Sequence, residues 1–419
     1  MNLTFSPNIR SLAVALLAWV AVPCMAQETI TTMFYNLLEF PEAFPNDRAL
    51  ILREILDEAS PDIFMVCELQ NEDGAEQILN NSLNYEEQRY AQAPFFYNQS
   101  SPSNLQQLVY YRSDKMALVF SEVITTSIRD INRYVFRFNT DDQSEDPILL
   151  ELYVAHLKAS QGPSNEALRL EMVETFTSRL QGLNPNAYVI FAGDLNVYSS
   201  GEPAYQELLD PTNAIVMKDP IDRPGNWNSN FNFQDIHTQS TRESSGTFGA
   251  GAGGGMDDRF DFILVSENML TDPTLRYVEN SYKAFGNNGN CYNDSVNDFD
   301  CSGSYSQQLR NNLYNMSDHL PVLLQLETNK DIVLSGTEFA VGKTQIEVFK
   351  TVVNHSLEGF IPFEKVTTTL QVYNVLGQMV KSQSFQTGTF ELNVSDLANG
   401  LYYIKAKGHS NPIKFLKAS

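Results

Sequence analysis

An α+β fold on a mixed sheet, followed by a small all-β module, is what this sequence predicts. Three observations carry the prediction. Strand-like and helix-like segments alternate through the first half of the chain, which requires helices packed on a sheet. Hairpin-like strand pairs between residues 108 and 138 interrupt the alternation, so the sheet is mixed rather than doubly wound. Charge then breaks sharply: residues 1–334 hold 20 Lys or Arg against 45 Asp or Glu, a net of −25, whereas residues 335–419 hold 8 against 6, a net of +2. That break predicts one domain over 27–330 and a second over 335–419.

The elements follow in order. Glu28 to Leu38, dense in Thr, Met, Phe and Tyr, reads as a strand arriving at Asn36. Leu50, Ile51, Ile55 and Leu56 lie near one helical face between Arg48 and Ala59, and Ser60-Pro61 ends that helix. Asp62 to Leu69 is a strand and Gly74 to Asn81 a helix. Leu108–Tyr111, Ala117–Phe120 and Arg133–Phe138 form an antiparallel run. Ile148–Leu157 and Tyr188–Ala192 are nearly continuous in apolar residues, as central strands are, and Asn165–Leu180 between them is an amphipathic helix. Phe260–Val265 and Leu320–Leu326 are further strands, and the polar stretch 266–317 reads as a surface excursion. Gly246 to Gly255 holds six glycines, but no Lys-Ser or Lys-Thr follows and a strand rather than a helix comes next. It reads as a mobile loop, not a phosphate cradle.

The chain has 419 residues, 42% hydrophobic and 19% charged, which describes a folded protein. A formal net charge of −23 repels polyanions and attracts divalent cations, so tight nucleic-acid binding through a broad basic surface is disfavoured. Local contact with one phosphate is not excluded. Arg10, the apolar run Ser11–Val22 and Cys24-Met25-Ala26 read as a signal peptide over residues 1–26, cleaved before Gln27. A buried N-terminal helix is the competing reading, and Val22-Pro23 argues against a lipid-anchored Cys24. Of the other cysteines, Cys291 and Cys301 lie ten positions apart in a Gly-, Asn- and Asp-rich stretch, where an exported protein gains by closing the loop as a disulfide. Cys67 sits in an apolar run and reads as a core thiol.

Polar groups recur where buried strands end. Gly193-Asp194-Leu195-Asn196 offers a carboxylate and an amide at a strand end. Phe260-Asp261-Phe262 opens a strand with an isolated acid, and Ser317-Asp318-His319-Leu320-Pro321 opens another with an acid–imidazole pair. Ala155-His156-Leu157 places an imidazole inside an apolar strand, while Cys67-Glu68 and Tyr35-Asn36 add a carboxylate and an amide. Singly each is weak, since an acid after an apolar run is usually an edge charge. Buried polar groups must nevertheless meet partners or remain unpaired at a cost, and convergence on one site satisfies them all.

In this ordered set the sequence resembles the endonuclease/exonuclease/phosphatase superfamily, from about Thr31 to Leu326. The resemblance implies a deoxyribonuclease I-like four-layer α/β/β/α sandwich and a metal-dependent phosphoric ester hydrolase. It implies that Glu68, helped by Asn36 and Asp318, holds Mg²⁺ or Mn²⁺, ions suited to hard oxygen ligands. His319 takes a proton from the attacking water, with Asp261 fixing its tautomer. Asp194 and Asn196 position water or phosphate, and Asp194 is a second candidate for acid–base duty. His156 donates to a phosphate oxygen or assists the leaving group. Arg133 falls where deoxyribonuclease-like members place a phosphate-contacting arginine, with a surface salt bridge as its alternative role. His237 lies outside the signature and reads as incidental.

Gln371–Val375, Gly388–Val394, Leu401–Ala406 and Ile413–Leu416 carry the strand rhythm of an all-β sandwich. Through Leu370 to Gln378 (LQVYNVLGQ) and Leu397 to Lys405 (LANGLYYIK) the tail resembles the C-terminal sorting domain of Bacteroidota type IX secretion substrates, although the usual Tyr-Pro-Asn-Pro opening is absent. The resemblance implies the type IX secretion machinery as a partner and a secreted or cell-surface attached protein; a small adhesive β-sandwich is the alternative. No stable protein partner is implied. The leading expectation is a secreted phosphodiesterase, with an endonuclease acting on DNA or RNA as the first specific reading. A phosphatase or sphingomyelinase-like enzyme on a small or lipid substrate is the second, and an inactive surface-binding protein the third.

Overall fold

The computed structural model describes residues 28–334, 346–361, 368–386, 388–407 and 412–418. The signal-peptide expectation therefore lies outside the described residues. The first sheet contains β1 (Glu28–Phe40), β2 (Ile63–Leu69), β3 (Tyr90–Gln92) and β4 (Gln106–Arg112). The second contains β5 (Met116–Ile124), β6 (Ile131–Phe138), β7 (Leu149–His156), β8 (Tyr188–Asp194), β9 (Met217–Lys218) and β10 (Asp261–Ser266). β11 (Arg276–Tyr277), β12 (Lys283–Ala284) and β13 (Val322–Thr328) return to the first sheet, whose order is β11-β13-β1-β2-β4-β3 with β12 also on β13. The second sheet runs β5-β6-β7-β8-β10-β9. Each mixes parallel and antiparallel neighbours, as the hairpin-like pairs predict: β1 with β2 and β7 with β8 are parallel, the other strand pairs antiparallel.

Strand parity explains the layers. Along β8, Ile190 and Ala192 belong to the core shared by the two sheets, while Val189 and Phe191 pack on the outer side against α3 (Pro163–Leu180) through Phe176. Short α4 (Pro203–Leu208) adds Ala204 and Leu208 to that outer layer. On the first sheet's outer side α1 (Arg48–Ala59) buries Leu52, Ile55 and Leu56, followed by α2 (Glu72–Gln77) and a wide turn at Ile78–Leu83. Two sheets face to face, each covered by helices, make the four-layer α/β/β/α sandwich.

One expectation is corrected. The stretch 266–317 is not merely a surface excursion: it supplies β11 and β12 as edge strands and ends in α5 (Gln307–Met316), which buries Leu309, Leu313 and Met316. Those residues fall four and then three apart, on one helical face. Cys291 and Cys301 form the expected disulfide and both are buried, while Cys67 is a buried free thiol. Cys291→Ser should lower unfolding stability by roughly 2 to 3 kcal/mol, the loop-closure contribution of a span this short. A urea titration under non-reducing conditions checks it, and a change below about 0.5 kcal/mol refutes that role.

The tail forms two small sheets. One is β14 (Glu347–Val348), β16 (Ser356–Ile361) and β19 (Gly388–Asn393), in the order β14-β16-β19. The other is β15 (Val352–Val353), β17 (Thr368–Asn374), β18 (Met379–Phe385), β20 (Gly400–Ala406) and β21 (Ile413–Lys417), in the order β15-β21-β20-β17-β18. Leu357, Phe390 and Leu392 from the first meet Leu370, Val372, Ile404 and Phe415 from the second in one core, a sandwich as expected. Phe360 of β16 meets Phe120 of β5 edge to face, 4.5 Å between ring centroids.

Candidate active site

Three adjacent strands bring three predicted residues side by side. His156 ends the inward file Leu152, Val154 on β7; Asp194 ends Ile190, Ala192 on β8; Asp261 begins the file that continues as Ile263, Val265 on β10. The registers pair His156 with Asp194 and Asp194 with Asp261. All three side chains therefore enter the space between the sheets at one end. Gly193 is required here, because a Cβ would lie 2.2 Å from the Ala155 carbonyl oxygen.

The first sheet supplies the opposite wall. Asn36 lies on β1, and Glu68 on β2 has a positive φ of 59° where the β1–β2 register shifts, so its carboxylate leaves the ladder and turns inward. Asn36 Nδ2 donates to Glu68 Oε1 at 3.0 Å and to Asp194 Oδ2 at 3.1 Å, while Leu38 N–H donates to Asn36 Oδ1. The Glu39 N–H donates to Glu68 Oε2. Asp318 and His319 sit on the turn before β13; Ser317 Oγ donates to the Asn36 carbonyl and accepts from the His319 N–H, binding that turn to β1. His319 Nδ1 donates to Asp261 Oδ2 at 2.8 Å, and its Nε2 lies 3.7 Å from Asp194 Oδ2 and 3.4 Å from Asn36 Nδ2. His156 Nε2 stands 3.5 Å from Asp194 Oδ2 and 3.9 Å from Glu68 Oε1. Asn196, also at positive φ, donates its N–H to Asp194 Oδ1 and its amide to the Leu157 carbonyl.

Six of these groups are nearly inaccessible: Asn36, His156, Asp194, Asp261, Asp318 and His319 are each at most 3% exposed. Burial is the largest influence on the titration of Glu68, Asp194, His156 and His319. It pushes Glu68 up, reinforced by Asp318. It pushes Asp194 up to about 7, with His319 pulling the other way and Asp261 and Glu68 adding to the rise. Burial, with Arg129 and His319 nearby, holds His156 well below the usual histidine range. For His319 burial alone acts downward, but Asp261, Asp194 and Asp318 outweigh it and hold the imidazole well above that range.

A divalent cation fits this donor set. Glu68, His156 and Asp194 each present a ligand atom, all within 4.8 Å of one another. Asp318 Oδ1 and Asp261 Oδ1 are buried with no hydrogen-bond partner among the described residues, a costly condition that positive charge relieves. The grouping differs from the sequence expectation in two respects. His156 and Asp194 stand with Glu68, and Asn36 turns its NH₂ toward the acids because Leu38 N–H occupies its oxygen.

Arg133 does not join this cluster. It shares the outer face of β6 with Val135, where its guanidinium pairs with both oxygens of Glu151 (2.8 and 3.0 Å) and with Glu122 (2.7 Å), over the Phe120 ring. Four structural groups near the site escape the sequence. Gln239 Nε2 donates to Asp318 Oδ2 at 3.1 Å and contacts His319 Nε2 at 2.7 Å. Ala252 N–H donates to Asp318 Oδ2 at 2.6 Å. Buried Arg48 clamps the carbonyls of Leu37 and Leu38 to that of Met316, fixing the turn after Asn36 to the turn before Asp318. Arg129 donates to the carbonyls of His156 and Leu157. The Gly-rich segment is therefore tethered rather than loose: Ser240 Oγ holds the Ala252 carbonyl, and at Gly251, φ +86°, a Cβ would lie 2.9 Å from Asp318 Cγ. His237 is buried against the carbonyls of Trp227 and Met256, away from these carboxylates.

The profile of the Endonuclease/Exonuclease/phosphatase family matches residues 33–319, a span that contains every member of the cluster. The chain belongs to that family. It is thereby a metal-dependent phosphoester hydrolase by class. The Secretion system C-terminal sorting domain matches residues 350–416, so the protein is secreted or cell-surface attached and its tail engages the type IX machinery. Similar solved structures include the human Nocturnin catalytic domain, 15% identical over 72% of this chain and 97% of that chain, TM-score 0.44. A humanized D. rerio TDP2 is 17% identical over 72% and 99%, TM-score 0.45. An endonuclease/exonuclease/phosphatase from Bacteroides vulgatus is 12% identical over 72% and 99%, TM-score 0.46. No curated protein matches the chain.

The titration of Asp194 gives a signed prediction. In the metal-free protein its carboxyl keeps a proton to about pH 7, whereas an unfolded aspartate loses it near 4. Between those values the folded state binds the extra proton, so the contribution to stability is fully present below about pH 4 and is lost as pH rises through 7. In EDTA, Asp194→Asn should therefore gain on the wild type by on the order of 2 kcal/mol between about pH 4.5 and 8. Urea titrations of both proteins measure it; a difference independent of pH contradicts the raised titration of the buried Asp194 carboxyl.

Proposed function

We propose that this protein is a secreted phosphoester hydrolase that activates water at His319 and works with Mg²⁺ or Mn²⁺ on small phosphate esters rather than nucleic-acid strands. The observation that carries the reading is the position of His319, hydrogen-bonded to Asp261 through Nδ1 and directed by Nε2 toward Asp194 and Glu68's partner Asn36. Asp261 keeps the proton on Nδ1, which leaves Nε2 to accept one from water. Asp261, Asp194 and Asp318 then stabilise the imidazolium that forms. Glu68, Asp194 and His156 are the residues that would hold the cation, with Asp318 Oδ1 as a further donor. Bound there, the cation supplies Lewis-acid charge stabilisation to phosphoryl oxygens. The Asn196 side-chain amide, held by a 3.4 Å contact to the Leu157 carbonyl, is the donor offered to the phosphate.

Two features favour a small substrate over the endonuclease expectation. Arg133, the one cation expected to bracket a strand phosphate, is committed to Glu122 and Glu151. The net charge of −23 opposes approach of a polyanion. The test is a substrate panel with Mg²⁺ or Mn²⁺: plasmid DNA, RNA, sphingomyelin, inositol phosphates and bis-p-nitrophenyl phosphate. Turnover of small esters at least tenfold faster per active site than of DNA or RNA is expected. Efficient DNA cleavage restores the endonuclease reading, and turnover of none defeats hydrolysis altogether.

A further inference from the structure

Across Gln239 from the catalytic histidine stands a carboxylate for which the hydrolytic chemistry above has no use. Gln239 bridges Asp258 on one side and His319 on the other in antiparallel pairing. Residues directly opposite across such bridges point to the same face. Gln239 reaches His319 Nε2 and Asp318 Oδ2, so this face is the catalytic one, and Asp258 stands on it one strand spacing beyond Gln239. Its backbone is fixed there: the Asp258 carbonyl accepts from Thr238 and Gln239 N–H, and the Asp258 N–H donates to the Gln239 carbonyl.

The Asp258 side chain is set up to bind something outside the protein. Asn228 Nδ2 donates to Oδ1 at 2.8 Å, and Asn228 in turn accepts from the exposed Gln161 amide at 3.3 Å. Among the described residues Oδ2 has no hydrogen-bond partner, and the field of His319, beyond Gln239, reaches it. Burial, with Asp257 alongside, pushes this carboxyl up to about 7, so it can donate as well as accept at neutral pH. The Tyr198 phenol is close enough that Asp258 and Asp194 help raise it to about 12, after burial. Tyr198, Asp258, Asn228 and Gln161 thus line the edge of the site that begins at Asp194 and His319 with hydroxyl, carboxyl and amide groups.

That edge selects by chemistry. A second phosphate placed there meets an acid. A quaternary ammonium lacks an aromatic cage, because the Tyr198 ring is packed edge to face on Phe260. Alcohol hydroxyls are satisfied, since each both donates and accepts and these side chains offer both. We infer that Asp258, supported by Asn228 and Gln161, is a specificity-determining residue that reads hydroxyl groups on the leaving alcohol, so the preferred substrate is the phosphate ester of a sugar or other polyol. This rests on the hydrolase reading above.

The test compares the full chain with Mg²⁺ or Mn²⁺ on glucose 6-phosphate and on cyclohexylmethyl phosphate, which share the ester and the ring size but differ in hydroxyls. The wild-type ratio of kcat/KM should exceed tenfold in favour of the sugar ester. Asp258→Ala should collapse that ratio at least tenfold, mainly through KM for glucose 6-phosphate. Asp258→Asn, which keeps the Asn228 contact, should reduce it less, and Gln161→Ala at the exposed end should reduce it about two- to threefold. A merely structural Asp258 lowers both esters together and leaves the ratio intact, which overturns the inference. So does a wild-type preference for phosphocholine or DNA over glucose 6-phosphate. If generic p-nitrophenyl esters are turned over with no ratio to collapse, only the role of Asp258 fails. If no ester is turned over, the hydrolase reading fails and takes this one with it.

Discussion

His319→Ala is expected to lower kcat on any accepted phosphoester by roughly 10²- to 10⁴-fold, the range in which a positioned general base contributes. KM should change by less than about threefold, because His319 binds a proton rather than the ester. The size of the effect follows from the geometry. Asp261 Oδ2 at 2.8 Å fixes one ring nitrogen, and three carboxylates outweigh burial and hold the imidazole's proton affinity well above the usual range. Nothing else beside Asp194 combines that basicity with that position. Asp261→Asn should reproduce most of the loss, since an amide can hold the ring with the wrong nitrogen protonated. Steady-state kinetics with bis-p-nitrophenyl phosphate decides it, and a His319→Ala rate within tenfold of wild type removes His319 from the role of base.

Glu68→Gln is expected to weaken divalent-cation binding at least 100-fold while leaving the fold intact. Glu68 is the one carboxylate the first sheet contributes to the three-residue group, and its positive φ commits the backbone to presenting it there. Its pKa is raised by burial and by Asp318, so the charged form is held at a cost that a cation offsets. Removing that charge lowers the attraction for the ion and also lessens the penalty in the metal-free protein. The variant should therefore unfold at the same or higher urea concentration in EDTA and require much more Mn²⁺ for activity. Isothermal titration with Mn²⁺ measures the affinity; an unchanged Kd places the cation elsewhere.

Much of this site could be read from the chain because it is built on strand ends. Alternation alone puts Asp194 in file with Ile190 and Ala192, and Asp261 in file with Ile263 and Val265, so carboxylates at these ends must enter the layer between the sheets. The same rule explains the failure at Arg133. Its parity matches Val135 on the outer face, while Asn132 and Tyr134 face inward, and parity becomes a direction only once the partner sheet is known. Gln239 and Ala252 were illegible for another reason. They lie in the irregular stretch before β10, where no period marks a facing side, and Ala252 acts through a backbone N–H that carries no side-chain signature. Likewise Leu309, Leu313 and Met316 have helical spacing, but five Asn and Gln residues around them gave the segment the composition of a loop.

The tail follows the opposite pattern. Four of its strands were evident from alternation, whereas four were not: β14 and β15 are two residues each, too short to alternate, and β16 and β18, which contain a mid-strand glycine or a run of exposed polar residues, are ordered by pairing with β19 and β17. Strands of that kind are specified by their neighbours more than by their own residues.

We propose that one buried acid–imidazole cluster hydrolyses phosphate esters with a divalent cation. Its most direct test is the rate of bis-p-nitrophenyl phosphate hydrolysis by the full chain after exhaustive EDTA treatment and then with Mn²⁺ or Mg²⁺ restored. Activity below about 1% of the initial rate in EDTA, recovery on adding either cation, and no recovery for His319→Ala are expected. Full activity retained without the cation would contradict it.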